Sequence, residues 1–223
     1  MDYVDMATVL ESRSSERFEI GRLELSEGMV ENAQFRDIIN GRRENDGQKP
    51  GVVMQLRDKA GNIIMSDTEM ERRTNQWFVR KSQGDVLIGG LGLGMILLAI
   101  QDKPEIRSIT VVELEQEIID LVSPQLPLND KVMIICGDIL TWKPPKGIKY
   151  DTIYFDIWNA ICEDNYEDMK LLNRRFGRKL NRDNPNCWMS SWRYDEVKKA
   201  VYDGRIEERR YKLFESYYRR ARA

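Results

Sequence analysis

The sequence predicts an α/β fold, a mostly parallel sheet with helices on both faces, preceded by a small N-terminal β-hairpin region. Two observations carry the sheet. Short apolar runs alternate with helical stretches from Gly84 to about Ser191, and the first run passes straight into a glycine-rich turn. A third observation carries the hairpin: two strand-like segments flank the turn Lys59-Ala60-Gly61.

In chain order, Phe18-Glu19-Ile20 and Leu23-Glu24-Leu25 read as short strand pieces, and Gly41–Pro50 as a polar loop. Val52–Leu56 and Asn62–Met65 form the hairpin. Ser66-x-x-Glu69 reads as a capping box for a helix ending near Lys81, with Met70, Trp77 and Phe78 as its apolar side. The strands of the main sheet are expected at Asp85–Ile88, Ser108–Leu114, Val132–Cys136, Thr152–Asp156 and Cys187–Ser191. Helices are expected at Leu93–Gln101, Glu115–Val122 and Tyr166–Leu180. This divides the chain into an N-terminal β-rich region with a lead-in helix (1–82), a nucleotide-binding core (83–192) and a C-terminal helical tail (193–223). The tail ends in the basic, aromatic run Tyr217-Tyr218-Arg219-Arg220-Ala221-Arg222, read as a solvated or oligomer-contacting helix.

Composition narrows the chemistry. Thirty-five Lys and Arg against 37 Asp and Glu give no global signal for a nucleic-acid partner, and no apolar run is long enough to span a bilayer. The mixed, acidic N-terminus reads as neither signal nor transit peptide, and the expected location is the cytoplasm. The three cysteines, Cys136, Cys162 and Cys187, show no metal spacing, and no metal site is expected. The sequence contains no His, which excludes a His-based triad or a His general base. Proton transfer must then use carboxylates, Lys, Tyr, Cys or water.

The central motif is Val86-Leu87-Ile88-Gly89-Gly90-Leu91-Gly92-Leu93-Gly94, a strand entering a glycine turn before the apolar segment Met95–Ile100. Gly90, Gly92 and Gly94 let the backbone take unusual dihedrals and approach a ligand, and N–H groups at the following helix start can hold a carboxylate or phosphate. About twenty residues on, the next strand ends in Glu113, where an open α/β sheet sets an acid against ribose hydroxyls. Asp138 follows Gly137 at the end of the third strand, placed to accept from an exocyclic amine. Leu114 and Ile139, which follow the two acids, belong to the same nucleoside-binding set. Asp156 leaves the fourth apolar strand, where a carboxylate is costly without a partner. The pattern is Rossmann-like, but Gly-x-Gly-x-x-Gly fits neither register, because Met95 or Leu91 falls on a required glycine. A Gly-x-Gly-x-Gly turn suits a ligand with an amino-acid end and no pyrophosphate.

Over roughly Val52 to Ser191 the chain resembles the class I methyltransferases that use S-adenosylmethionine (SAM), and within them the spermidine-synthase-like branch. The resemblance rests on the glycine turn, Glu113, Gly137-Asp138, Tyr150–Asp156, and the upstream segment Gly61-Asn62-Ile63-Ile64-Met65-Ser66-Asp67-Thr68-Glu69. It implies SAM as cofactor, with the methionine end at Gly90–Gly94, ribose at Glu113, adenine near Asp138 and sulfonium near Asp156. The branch usually carries two aspartates three apart after the fourth strand; here they are Asp156 and Asn159. It also usually has Asp at the position of Gly92 and Gln at that of Ile64. The expected function is therefore methyl transfer to a small-molecule or otherwise unidentified acceptor, with Asp156 orienting or deprotonating it and Asn159 assisting. Trp158 is a candidate to stack on a planar or cationic group. An aminopropyltransferase and a non-catalytic SAM-binding scaffold are the alternatives. The short segment after the fifth strand leaves one side of the sheet thinly covered, so that N-terminal strands or a second copy of the chain would complete it.

Overall fold

The computed structural model of the protein describes residues 3–160 and 162–204. It contains two sheets. The first is antiparallel, with order β1 (Arg13–Ser14), β2 (Phe18–Leu25), β3 (Gly51–Asp58) and β4 (Ile63–Ser66). The two strand pieces expected around Gly21 fuse into the single strand β2, which pairs with β3 along its whole length. The second sheet is parallel, and its order follows from five strands: β5 (Gly84–Gly89), β6 (Ile106–Glu113), β7 (Val132–Cys136), β8 (Thr152–Phe155) and β9 (Trp188–Ser191). They lie in the order β7-β6-β5-β8-β9. The N-terminal strands form their own sheet and do not extend the parallel one, which leaves β7 and β9 as its edges among the described residues.

Among the described residues they are accompanied by the helices α1 (Glu27–Ile39), α2 (Glu69–Lys81), α3 (Met95–Ile100), α4 (Gln116–Val122) and α5 (Asn165–Phe176). Residues 194–204 are also helical, and the basic aromatic end of the expected tail lies outside the described residues. The periodicity of the sequence does not reveal α1, because Met29, Phe35, Ile38 and Ile39 are exposed and only Val30 and Asp37 are buried. Its start is set by Ser26, whose hydroxyl accepts from the Met29 N–H. The capping box expected at Ser66 does not form. Ser66 is the last residue of β4, and Thr68 is the N-cap of α2 without a side-chain cap bond. The buried side of α2 is Glu71, Asn75, Phe78 and Val79, while Trp77 is exposed.

Strand alternation divides the core between the two faces of the parallel sheet. Val86 and Ile88 point to one face and join Phe78 of α2, Leu97 of α3, Val122 of α4, and Met54 and Leu56 of the antiparallel sheet. Leu87, Ile153 and Phe155 point to the other face, against Leu172 and Phe176 of α5. Each fully buried apolar side chain of this size stabilises by about 1.5–3 kcal/mol. Register then fixes the rim. Gly89 lies beside Val112 and Phe155, and Glu113 lies beside Cys136. Gly90, Glu113, Gly137 and Asp156 therefore emerge together at the carboxyl ends of their strands. The strand order reverses between β5 and β8, and open α/β sheets bind ligands in that crevice.

Candidate functional site

A cavity of about 410 Å3 opens at this rim, within the size range of small-molecule sites. Of the residues singled out from sequence, Gly90, Gly92, Glu113, Leu114, Gly137, Asp138, Ile139, Asp156 and Asn159 line it, and so does Trp158. Gly94 does not. It takes a left-handed conformation (φ 79°) at the N-cap of α3, and a Cβ there would lie 2.4 Å from Leu126 Cδ1. Gly94 packs the turn against Leu126.

Glu113 is 7% exposed and is held from both sides. Its Oε2 accepts from the Leu91 N–H at 2.8 Å and its Oε1 from the Glu115 N–H at 3.0 Å. Burial raises its pKa, and the hydrogen bonds from Glu115 and Leu91 oppose the rise. Each oxygen keeps acceptor capacity, so the carboxylate can take the two hydroxyls of a ribose. The same hydrogen bond clamps the glycine turn onto the end of β6.

The turn has fewer open donors than its glycines suggest. Gly90 N–H donates to Val112 O and Gly94 N–H to Leu91 O, both at 2.9 Å. Leu91 N–H is used by Glu113, and Leu93 N–H points at the Met65 thioether, 3.2 Å away. Among the described residues, the Gly92 N–H is the turn amide left without a partner. Met65, carried by β4, also packs against Gly92, where a Cβ would stand 2.0 Å from its sulfur. Nothing in the local sequence around the turn points to Met65, because its approach is set by how the two sheets pack.

Asp138 lines the cavity but also organises its own loop. Its Oδ1 accepts from the Leu140 N–H at 2.8 Å and its Oδ2 from the Thr141 hydroxyl at 3.2 Å. Asn159 is exposed at the mouth. Trp158 lies along the wall, its indole N–H 3.5 Å from Asp168 Oδ2.

At the inner end, Asp156 faces Glu71 of α2 across the same cavity. Burial pushes the Asp156 carboxyl up to about 7, and a hydrogen bond from Asn75 pulls against that rise. Burial and the nearby Asp156 charge push Glu71 up to about 8. Two such acids titrate as a pair that retains a proton near neutrality. Asn75 also accepts from the Tyr154 hydroxyl at 2.8 Å and donates to the Glu71 backbone carbonyl at 3.1 Å. Tyr154 in turn stacks on Phe78, with ring centroids 4.3 Å apart. Glu71 escaped the sequence reading, yet a signal existed. Positions 71, 75 and 78 follow helical spacing, and the first two members of that inward stripe are polar.

No family model matches the sequence, and no curated protein matches it. Among solved structures, the plantazolicin methyltransferase BpumL in complex with S-adenosylhomocysteine (SAH) aligns at 24% identity. The alignment covers 49% of this chain and 39% of that one, with a TM-score of 0.35. The N-methyltransferase NodS from Bradyrhizobium japonicum, also in complex with SAH, aligns at 14% identity over 50% of this chain and 57% of that one, TM-score 0.40. The CcbJ methyltransferase from Streptomyces caelestis aligns at 16% identity over 50% and 45%, TM-score 0.41. The chain thus spans less than two thirds of the length of each of these neighbours.

Proposed function

We propose that the protein is a SAM-dependent methyltransferase acting on a small-molecule acceptor. The observation that carries this reading is the buried Glu113 carboxylate, clamped to the glycine turn and open to a cavity at the sheet's switch point. The residues fit the cofactor unevenly. Glu113 offers acceptors for the ribose, and Leu114 and Ile139 offer apolar surface for the base. For an amino-acid end, the turn supplies the Gly92 N–H directly and the Leu93 N–H once the Met65 sulfur yields it. When bound, SAM supplies a methyl group whose bond to the sulfonium breaks with the electron pair left on sulfur. Asp156 would orient the acceptor and receive its proton, and Asn159 would add a hydrogen bond at the mouth.

The spermidine-synthase-like branch enters this reading only as its rival. The cavity wall next to the turn is made of Ile64, Met65 and Gly92, with no acid or amide among them. That supports intact SAM over a decarboxylated, amine-ended donor. Titration with the two nucleosides decides between them: intact SAM is expected to bind more tightly. Tighter binding of the decarboxylated form, with spermidine produced from putrescine, would make aminopropyl transfer the function.

Isothermal calorimetry tests the reading itself. SAM and SAH are expected to bind and NAD to give no heat. Glu113→Ala is expected to weaken SAM by about 1–3 kcal/mol, the range for removing the partner of buried polar groups. A folded protein that gives no heat with either sulfur nucleoside would overturn the assignment.

A further inference from the structure

Glu71 is a carboxylate with no counter-charge of its own. It is 9% exposed, it lines the cavity, and its side chain has no hydrogen bond or ion pair among the described residues. Arg193, which pulls the Glu71 pKa down, and Arg72, its neighbour in α2, are committed elsewhere. Arg193 holds Glu44 at 3.0 and 3.2 Å and Glu196 at 2.6 Å. Arg72 holds the Asp67 backbone carbonyl at 3.1 Å and its carboxylate at 3.4 Å. Asp156 faces the same space with only the neutral Asn75 beside it. The hydroxyl of Tyr3, which senses both acids, is buried without a partner. A chamber built this way makes every negative charge costly in a desolvated place, so its acids stay partly protonated until a cation enters.

We infer that Glu71 and Asp156 together form an ammonium-receiving subsite, and that Glu71 selects an acceptor that arrives as a protonated amine. This rests on the methyltransferase reading for the cavity. The ammonium donates hydrogen bonds to both carboxylates. One of its protons then passes to the pair, which leaves a neutral amine whose nitrogen lone pair is free. Entry of the ammonium displaces to solvent the proton that the pair retains near neutrality, and the pair then changes from doubly to singly charged as it takes one proton from the ammonium, so atoms and charge balance without another reactant. An alcohol of the same size brings no positive charge and leaves that negative charge uncompensated. Glu71 comes from α2, outside the parallel sheet, so acceptor recognition is supplied by a different element from the one that holds the nucleoside.

The test uses the full chain saturated with SAH and a series of primary alkylamines of two to six carbons, each paired with the matching alcohol. Binding is read by thermal shift and calorimetry. Amines are expected to bind and the alcohols not, and Glu71→Gln to weaken amine binding tenfold or more with SAH affinity unchanged. Glu71→Asp, which keeps the charge, is expected to retain most of the amine response and guards against a folding defect in the first variant. Equal response to amines and alcohols, no response to any amine, or undiminished amine binding in Glu71→Gln overturns the inference. Failure of SAH itself to bind would instead strike the underlying methyltransferase reading.

Discussion

Replacing Gly90 by alanine is expected to abolish SAM binding and to destabilise the fold severely. Gly90 has φ 96°, and a Cβ at this position would lie 2.1 Å from the backbone carbonyl oxygen of Asp156. That oxygen cannot move aside easily, because the Asp156 N–H is bonded to Gly89 O at 2.8 Å and Gly90 N–H to Val112 O at 2.9 Å. Backbone strain costs about 1–3 kcal/mol, and overpacking typically adds another ~1–3 kcal/mol. The sum, about 2–6 kcal/mol, is a large share of the about 5–15 kcal/mol by which domains are stable. Gly137→Ala is the control: its Cβ would meet Trp142 at 3.5 Å, an ordinary contact, and little change is expected. Urea midpoints and SAM calorimetry on both variants settle the matter. Similar behaviour of the two would show that the close approach of β5 and β8 is not what shapes the turn.

Asp156→Asn is expected to lower methyl transfer to a responding amine by about 10²- to 10⁴-fold, the range for a lost general base. SAM affinity should change by less than threefold. The acid pair also predicts pH behaviour. Activity needs the unprotonated pair, so it is expected to rise with pH through about 7 to 8. Stability runs the opposite way. With both pKa values raised by burial, the folded protein holds a proton that the unfolded chain has already released above its ordinary carboxylate range. The contribution of this pair to the unfolding free energy is therefore expected to be fully present near pH 4 and to fall as pH climbs through about 8, by an amount on the order of a few kcal/mol. Asp156→Asn and Glu71→Gln should each flatten that slope. Wild-type protein whose stability rises over this interval, with unchanged slopes in both variants, would mean that the two acids ionise independently of folding.

Much of this site could be read along the chain because a parallel sheet writes its rim into the sequence. Each apolar run ends where a strand ends, so Gly90, Glu113, Gly137 and Asp156 are marked by the residue types just before them. Gly94 stands apart from the cavity lining, since sequence adjacency to the turn does not say which side of it faces the cavity. Asp138, placed in sequence to accept from an exocyclic amine, lines the cavity in the structure while also bonding its own loop. The groups that were missed come from other elements. Glu71 and Met65 reach the rim only through the packing of α2 and β4 onto the parallel sheet; the helical stripe of 71, 75 and 78 marks Glu71 as inward-facing, but nothing local says that it meets Asp156. The helix α1 was missed because it buries so little, with no apolar stripe to betray its period.

The contact between Met65 and Gly92 also constrains the order in which this chain can change. An acid at position 92 needs space that the Met65 sulfur now fills, and position 92 has φ 52°, a conformation that Asp tolerates better than most residues. Met65 is flexible enough to swing away, but only by giving up its contact with the Leu93 N–H. The two positions therefore form a mutational lock. A substitution at 92 made first is penalised, whereas one that shortens residue 65 opens the way to it, and the double variant should be more stable than the sum of the separate effects allows. A lineage could cross between a bare and an acidic turn in one direction of steps and find the reverse order closed, so the donor preference of this pocket would depend on its history as well as its chemistry.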